Sequence, residues 1–117
     1  MSHLTDDPQA NYRLFIDEIK ASGLVWGIST SEGWVVCDSE EYEETDVIPF
    51  WSSEADARAH CSGEWAEFEP QSITLDVFAD RWLTGMVKDD VLAGPNWNEE
   101  LAGLEVEPAD LAKELLD

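Results

Sequence analysis

Between positions 38 and 46 the chain places Asp38, Glu40, Glu41, Glu43, Glu44 and Asp46, with no basic residue among them. Carboxylates gathered this closely are hard oxygen donors, suited to calcium or to the cationic side chains of a basic protein. A calcium loop of the EF-hand kind alternates its ligands, then turns on a glycine, then closes on a spaced glutamate. Here Tyr42 and Glu43 occupy the places of a ligand and of that glycine, so the spacing excludes such a loop. What remains is a segment that gathers cations weakly or faces a basic partner.

Two tryptophans lie close to prolines at the ends of apolar runs. Trp51 follows Pro49-Phe50 and precedes Ser52-Ser53, and Trp97 follows Pro95 between Asn96 and Asn98. Large aromatics with polar flanks are expected to be partly exposed, where they can anchor a partner while nearby acids assist the encounter. Asp38, Glu40, Glu41, Glu43, Glu44, Asp46, Trp51 and Trp97 therefore form the candidate binding set. Trp26, Trp34, Trp65 and Trp82 read as core.

His60, Cys61 and Glu64, with the distant Cys37, are the residues from which a soft-metal site could be drawn. There is no CxxC or HxxxH pair, and on a helix Cys61 is rotated by about a quarter turn from the face that His60 shares with Glu64. The spacing places His60 at the surface beside Glu64, and Cys61 inside. Nucleophilic catalysis needs a base, and His3 and His60 are the two histidines. Neither a GxSxG elbow, a P-loop nor a dinucleotide fingerprint is present. No catalytic residue, metal or cofactor is assigned.

Six Lys and Arg against 27 Asp and Glu give a formal charge of −21. Such a chain is disfavoured as a direct ligand of nucleic-acid phosphates or of anionic membranes, and basic proteins become its natural partners. The same acidity also hydrates a surface in high salt and requires no partner. A hydrophobic share of 44% removes the apolar poverty of disordered chains, so the sequence folds. Its 117 residues suit a single compact domain spanning 1–117, with 1–8 as a flexible lead-in. MSHLTDDPQANYRLF lacks the basic start and apolar run of a secretory signal, and no stretch approaches the roughly 20 apolar residues of a membrane span. A cytoplasmic location is therefore expected, with Cys37 and Cys61 as free thiols.

Short periodic runs supply the scaffold for these groups. Asn11–Ser22 has helical spacing in Leu14, Phe15 and Ile19, a stop at Ser22-Gly23, and Pro8 able to open a first turn. Leu24–Ile28 and Gly33–Cys37 read as a hairpin that brings Trp26 and Trp34 near each other. Thr45–Trp51 is a third strand, with Pro49 placing it at an edge or at a strand end. Ser53 and Asp56 resemble a capping box for a helix that turns Ala57, Cys61, Trp65 and Phe68 inward and stops at Pro70. Thr74 caps the next helix, with Ile73 just ahead of it and Leu75, Phe78, Trp82, Leu83, Met86 and Val87 along its apolar stripe. Val91–Pro95 and Leu104–Val106 read as paired strands, and Pro108 opens a last helix with Leu111, Leu115 and Leu116 on its apolar face. The fold class is α+β: a single two-layer domain whose mainly antiparallel sheet of about five short strands is covered by about four helices.

SGLVWGI, GWVVCDSEEYEETDVIPFWSS, EADARAHC, ITLDVFADRWLTGMVKDDVLAGPNWN and LEVEPADLAKELL together resemble a family of small bacterial proteins, the domain of unknown function 2750. The resemblance covers nearly the whole chain. It rests on Pro49–Ala59, on the Leu75–Leu83 helix with its Arg81-Trp82, and on the closing Val106–Leu111. It implies one compact domain in a bacterial cytosol and carries over no catalytic residue. The functional expectation is a non-catalytic, acidic protein-interaction module that binds a basic partner, as a regulator or an immunity-like protein. The alternative is a small carboxylate-based or metal-dependent hydrolase with His60 as an auxiliary base.

Overall fold

A computed structural model describes residues 7–30, 33–39, 45–61, 65–97 and 103–116. Helix α1, Pro8–Ser22, begins where Asp7 accepts hydrogen bonds from the Gln9 and Ala10 amides, at 3.0 and 3.3 Å. Pro8, which has no amide hydrogen to satisfy, fills the first helical position. The helix ends at Gly23, whose φ of 75° lets its amide return to the Ile19 carbonyl at 2.7 Å. Asn11, Phe15, Ile16 and Ile19 form its buried stripe.

Strand β1, Leu24–Thr30, does turn into the short β2, Gly33–Trp34, through the pairs Ser29↔Trp34 and Thr30↔Gly33. The expected Trp26–Trp34 neighbourhood does not form. The Trp34 ring lies over Gly27, where a Cβ would meet it at 3.0 Å, and stands edge-on to Trp82 with centroids 4.7 Å apart. Most of β1 pairs instead with β5, Glu69–Thr74, in six antiparallel steps from Leu24↔Thr74 to Ser29↔Glu69. The sequence pattern predicts a helix end and a connection there. The segment is instead the outer strand of the order β2-β1-β5, where Pro70 is tolerated, and Ile73 is its one buried residue, so it carries little hydrophobic signal.

The second sheet has the order β3-β4-β6. Strand β3, Cys37–Asp38, runs antiparallel to β4, Asp46–Phe50, and β4 runs parallel to β6, Leu92–Pro95. A parallel pair needs a long crossover, and residues 51–91 supply one. The strands are thus divided between two three-stranded sheets, joined where Trp26 and Trp51 exchange two backbone hydrogen bonds of 2.7 Å. Amide direction alternates along a strand, so Pro49 directs its hydrogen-free nitrogen to the same side as the Trp51 amide. That side is away from β6, and the β3 ladder has already stopped there at Val47.

Helix α2, Glu54–Ala59, is shorter than its apolar spacing suggests, and Ser53 caps it without a side-chain hydrogen bond. Ala57, Cys61, Trp65 and Phe68 still converge on one apolar cluster, although the helix has ended before the last three. Helix α3 is continuous through Leu75–Val77, a widened π-helical stretch Phe78–Leu83, and Thr84–Asp89. The extra residue in the wide turn sets the later turns back by about 100° and brings Leu83 onto the face of Phe78. Phe78, Leu83 and Met86 are buried, whereas Val87 stands exposed. Asp90, at φ 58°, closes the helix.

Of the expected strand at Leu104–Val106, Val106 alone pairs, exchanging two 2.9 Å bonds with Ala93. Helix α4, Pro108–Leu116, buries Pro108, Leu111 and Leu115 but exposes Leu116. One apolar cluster, built on Phe15, Phe50, Phe78 and Leu111, lies among α1, α3 and α4. Another, built on Ile28, Val47, Trp51 and Trp97, lies by α2. Neighbouring residues of β4 and β6 divide between them, Phe50 and Ala93 to the first, Trp51 and Leu92 to the second, as expected of a sheet covered on both faces.

Candidate functional site

The acidic segment begins in β3 with Asp38 and ends in β4 with Asp46. Their register sets Asp38 directly opposite Asp46, with both side chains exposed. The ladder continues one step outward, where the Ser39 amide donates to the Thr45 carbonyl at 2.8 Å. The Ser39 hydroxyl donates to the Glu105 carboxylate and so ties this end to the chain ahead of α4. Like charges directly across an antiparallel pair repel, and β3 is the edge of its sheet, so carboxylates face solvent where the ladder ends. Glu40, Glu41, Glu43 and Glu44 lie outside the described residues.

The two aromatic members of the candidate set are corrected by the structure. Trp51 is 0% exposed and Trp97 is 4% exposed, so neither forms a surface anchor. The Trp51 indole donates to the Trp97 carbonyl at 2.9 Å, and the Trp97 indole donates to the Leu104 carbonyl at 2.9 Å. Their polar flanks misled because those flanks are buried too. Asn96 Oδ1 accepts from the Ser52 amide at 2.9 Å, and Asn96 Nδ2 donates to Ser52 Oγ at 3.0 Å and to the Asn11 carbonyl at 3.2 Å. Ser52 Oγ donates to Glu18 Oε1 at 2.6 Å. This polar junction clamps α1 to the ends of β4 and β6.

His60 was expected at the surface, but it is buried against Trp51, with ring centroids 4.6 Å apart. Its Nδ1 lies 2.8 Å from the Asp56 carbonyl oxygen, which can only accept, so Nδ1 carries the proton. Glu64 lies outside the described residues. Cys61 is half-buried, with Sγ 3.7 Å from the Ala57 carbonyl oxygen. Burial raises both thiol pKa values. Asp38 adds to the effect at Cys37, while Arg58 opposes it at Cys61 and Glu69 adds to it there. A thiol held protonated is a poor nucleophile and a poor metal ligand. Among the described residues, no group of three His, Cys, Asp or Glu side chains comes together to hold a metal.

What sequence reasoning missed is the outer face of α3 and α4, where Val77, Val87 and Leu116 stand exposed beside Asp76 and Asp80. The only advance signal was the length of the apolar stripe on α3, too wide for one buried face.

A family model described as a protein of unknown function, DUF2750, matches residues 12–115. The chain belongs to the DUF2750 family. The match runs from the second turn of α1 to the last turn of α4, so the DUF2750 unit includes both sheets, with the polar junction except Asn11 and the α3–α4 face except Leu116. No curated protein and no solved structure matches the chain. Among the described residues of this DUF2750 protein, no helix is long and apolar enough to cross a membrane.

Proposed function

We propose that this DUF2750 chain is a non-catalytic, single-domain cytosolic interaction module that binds a basic protein, as a regulator or an immunity-like protein. The observation that carries the reading is the Asp38–Asp46 pair, set face to face at an exposed sheet edge at the two ends of a segment with six acids and no base. The arrangement holds unfavourable like-charge contact that a lysine or arginine of a partner relieves, and the −21 charge steers such a partner inward. The carboxylate-based hydrolase reading has less support, since His60 is engaged in the interior with the Asp56 backbone and both thiols are held protonated.

The test is affinity capture of basic proteins from a bacterial lysate at low and at high salt, comparing wild type with the Asp38→Asn/Asp46→Asn double variant. A defined basic partner, retained at low salt, released at high salt and weakened by the double variant, supports the reading. Recovery of no salt-sensitive partner leaves the acidity as surface hydration and defeats it.

A further inference from the structure

Among the described residues, four large apolar side chains are exposed, and three of them, Val77 (42%), Val87 (48%) and Leu116 (64%), border one trough between α3 and α4. Its apolar end encloses about 330 Å³ against Leu83, Val87, Pro108 and Ala112. Its acidic end encloses about 560 Å³, where Asp76 and Asp80 outnumber Arg81 beside Val77 and Leu116. Ala79 and Thr84 line both ends, so the two hollows adjoin.

The wall of the trough is the π-helical stretch, which contributes Ala79, Asp80, Arg81 and Leu83. π turns are rare, and they are frequent at functional sites. Here the wide turn brings Leu83 onto the buried face with Phe78, while Val87, in the turn that follows, stands exposed at the rim. A second copy of the chain is a poor occupant, because each copy brings a charge of −21. An apolar strip beside a net acidic end fits a helix with leucine-like residues on one face and lysine or arginine on the other.

We infer that the α3–α4 trough docks a cationic amphipathic helix of the partner, seated on Val87 and Leu116 with its basic residues toward Asp76 and Asp80. The inference rests on the basic-partner reading above, and it supplies the apolar contact which that reading lacks once Trp51 and Trp97 are placed in the interior.

The experiment uses a fluorescent peptide of roughly 18 residues, about 27 Å long as a helix, with leucines on one face and lysines on the other. A second peptide replaces each leucine with serine. Both are titrated by anisotropy into the wild type and into Val87→Ser/Leu116→Ser, Asp76→Asn/Asp80→Asn and Asp38→Asn/Asp46→Asn, each first checked for a single cooperative melting transition well above the temperature of the titration. The expected result is binding of the leucine peptide about tenfold tighter than the serine peptide, with about tenfold lost in Val87→Ser/Leu116→Ser. Asp76→Asn/Asp80→Asn lowers the salt dependence, and Asp38→Asn/Asp46→Asn stays close to wild type.

Equal binding of the two peptides, unchanged by Val87→Ser/Leu116→Ser, overturns the trough and leaves the basic-partner reading standing. Weakening by Asp38→Asn/Asp46→Asn alone has the same meaning. No binding of either peptide at low salt overturns both readings. A wild-type dimer in light scattering that Val87→Ser/Leu116→Ser converts to monomer makes a second copy the occupant and overturns the inference.

Discussion

Trp51 and Trp97 are joined in series: the indole of Trp51 donates to the backbone of Trp97, whose own indole donates to the backbone of Leu104, both at 2.9 Å. The relay fastens the end of β4 to the chain after β6, and then to the segment that leads into α4. Trp51→Phe retains much of the ring's burial but leaves the Trp97 carbonyl without its indole partner in a buried setting. A loss of about 2 kcal/mol is expected, read as a lower urea midpoint with an unchanged slope. A loss below a few tenths would mean that the bond contributes little.

Asn96 contributes both its amide groups and its backbone conformation. It is fully buried, its side chain bonds Ser52 and Asn11, and its φ is 45°. Asn96→Ala removes the bonds and keeps a side chain poorly suited to positive φ, whereas Asn96→Gly removes the bonds and relieves the backbone. Asn96→Ala is expected to cost about 3–5 kcal/mol, and Asn96→Gly about 1 kcal/mol less. Equal unfolding midpoints for the two variants would show that the left-handed conformation carries no cost.

The Asp38–Asp46 pair predicts a stabilising substitution. Neutralising either residue removes a like-charge contact across β3 and β4, so Asp38→Asn or Asp46→Asn is expected to gain about 0.2–1 kcal/mol at low ionic strength. The gain shrinks in molar salt, where screening acts over about 3 Å. The second substitution adds little to the first. Denaturation of both single variants and the double variant, with and without salt, measures the coupling.

Cys37 fixes the sign of an alkaline effect. Burial raises its thiol above the ordinary value of 9.0, with Asp38 second, and burial likewise raises Tyr12 above 10.0, followed by Glu114 and Asp110. Raised folded-state values mean that the unfolded chain loses these protons first. The associated stability is complete below the unfolded values and is lost as pH rises through the folded ones. Stability is therefore expected to fall from about pH 9 upward, and Cys37→Ala to remove part of that slope. A thiol-reactivity profile for Cys37, measured in Cys61→Ala, should have its midpoint above 9.0, and Asp38→Asn should lower it only partly, because burial remains.

Helix α1 was legible because Asp7, Pro8 and Gly23 act through local backbone chemistry, and the acidic character of the 38–46 segment is a matter of residue identity alone. Strand β5 was hidden because its partners in β1, from Ser29↔Glu69 to Leu24↔Thr74, lie 40 to 50 residues earlier and only Ile73 of Glu69–Thr74 is buried. The burial of Trp51 and Trp97 was hidden because Ser52 and Asn96 look solvated until they are seen bonding each other. The widened turn in α3 left no trace in a pattern read at ordinary helical spacing, which hid the alignment of Leu83 with Phe78 on the buried face.

Two glycines give opposite expectations. A Cβ on Gly94 would lie 2.4 Å from the Trp97 indole, which is held on one side by its bond to Leu104 and on the other by the bond Trp51 makes to its carbonyl. Gly94→Ala must displace that ring or the β4–β6 ladder, and a loss of about 1–3 kcal/mol is expected from the overpacking. Gly85 lies in α3, and a Cβ there meets nothing within 4 Å. Gly85→Ala therefore adds helix propensity without a clash, and a gain of about 0.5–1 kcal/mol is expected. The two midpoints should move apart around the wild type in one denaturation series. If Gly85→Ala destabilised the protein instead, the α3 turn after the π-helical stretch would require glycine for a reason other than space, and the path of that helix would need revision.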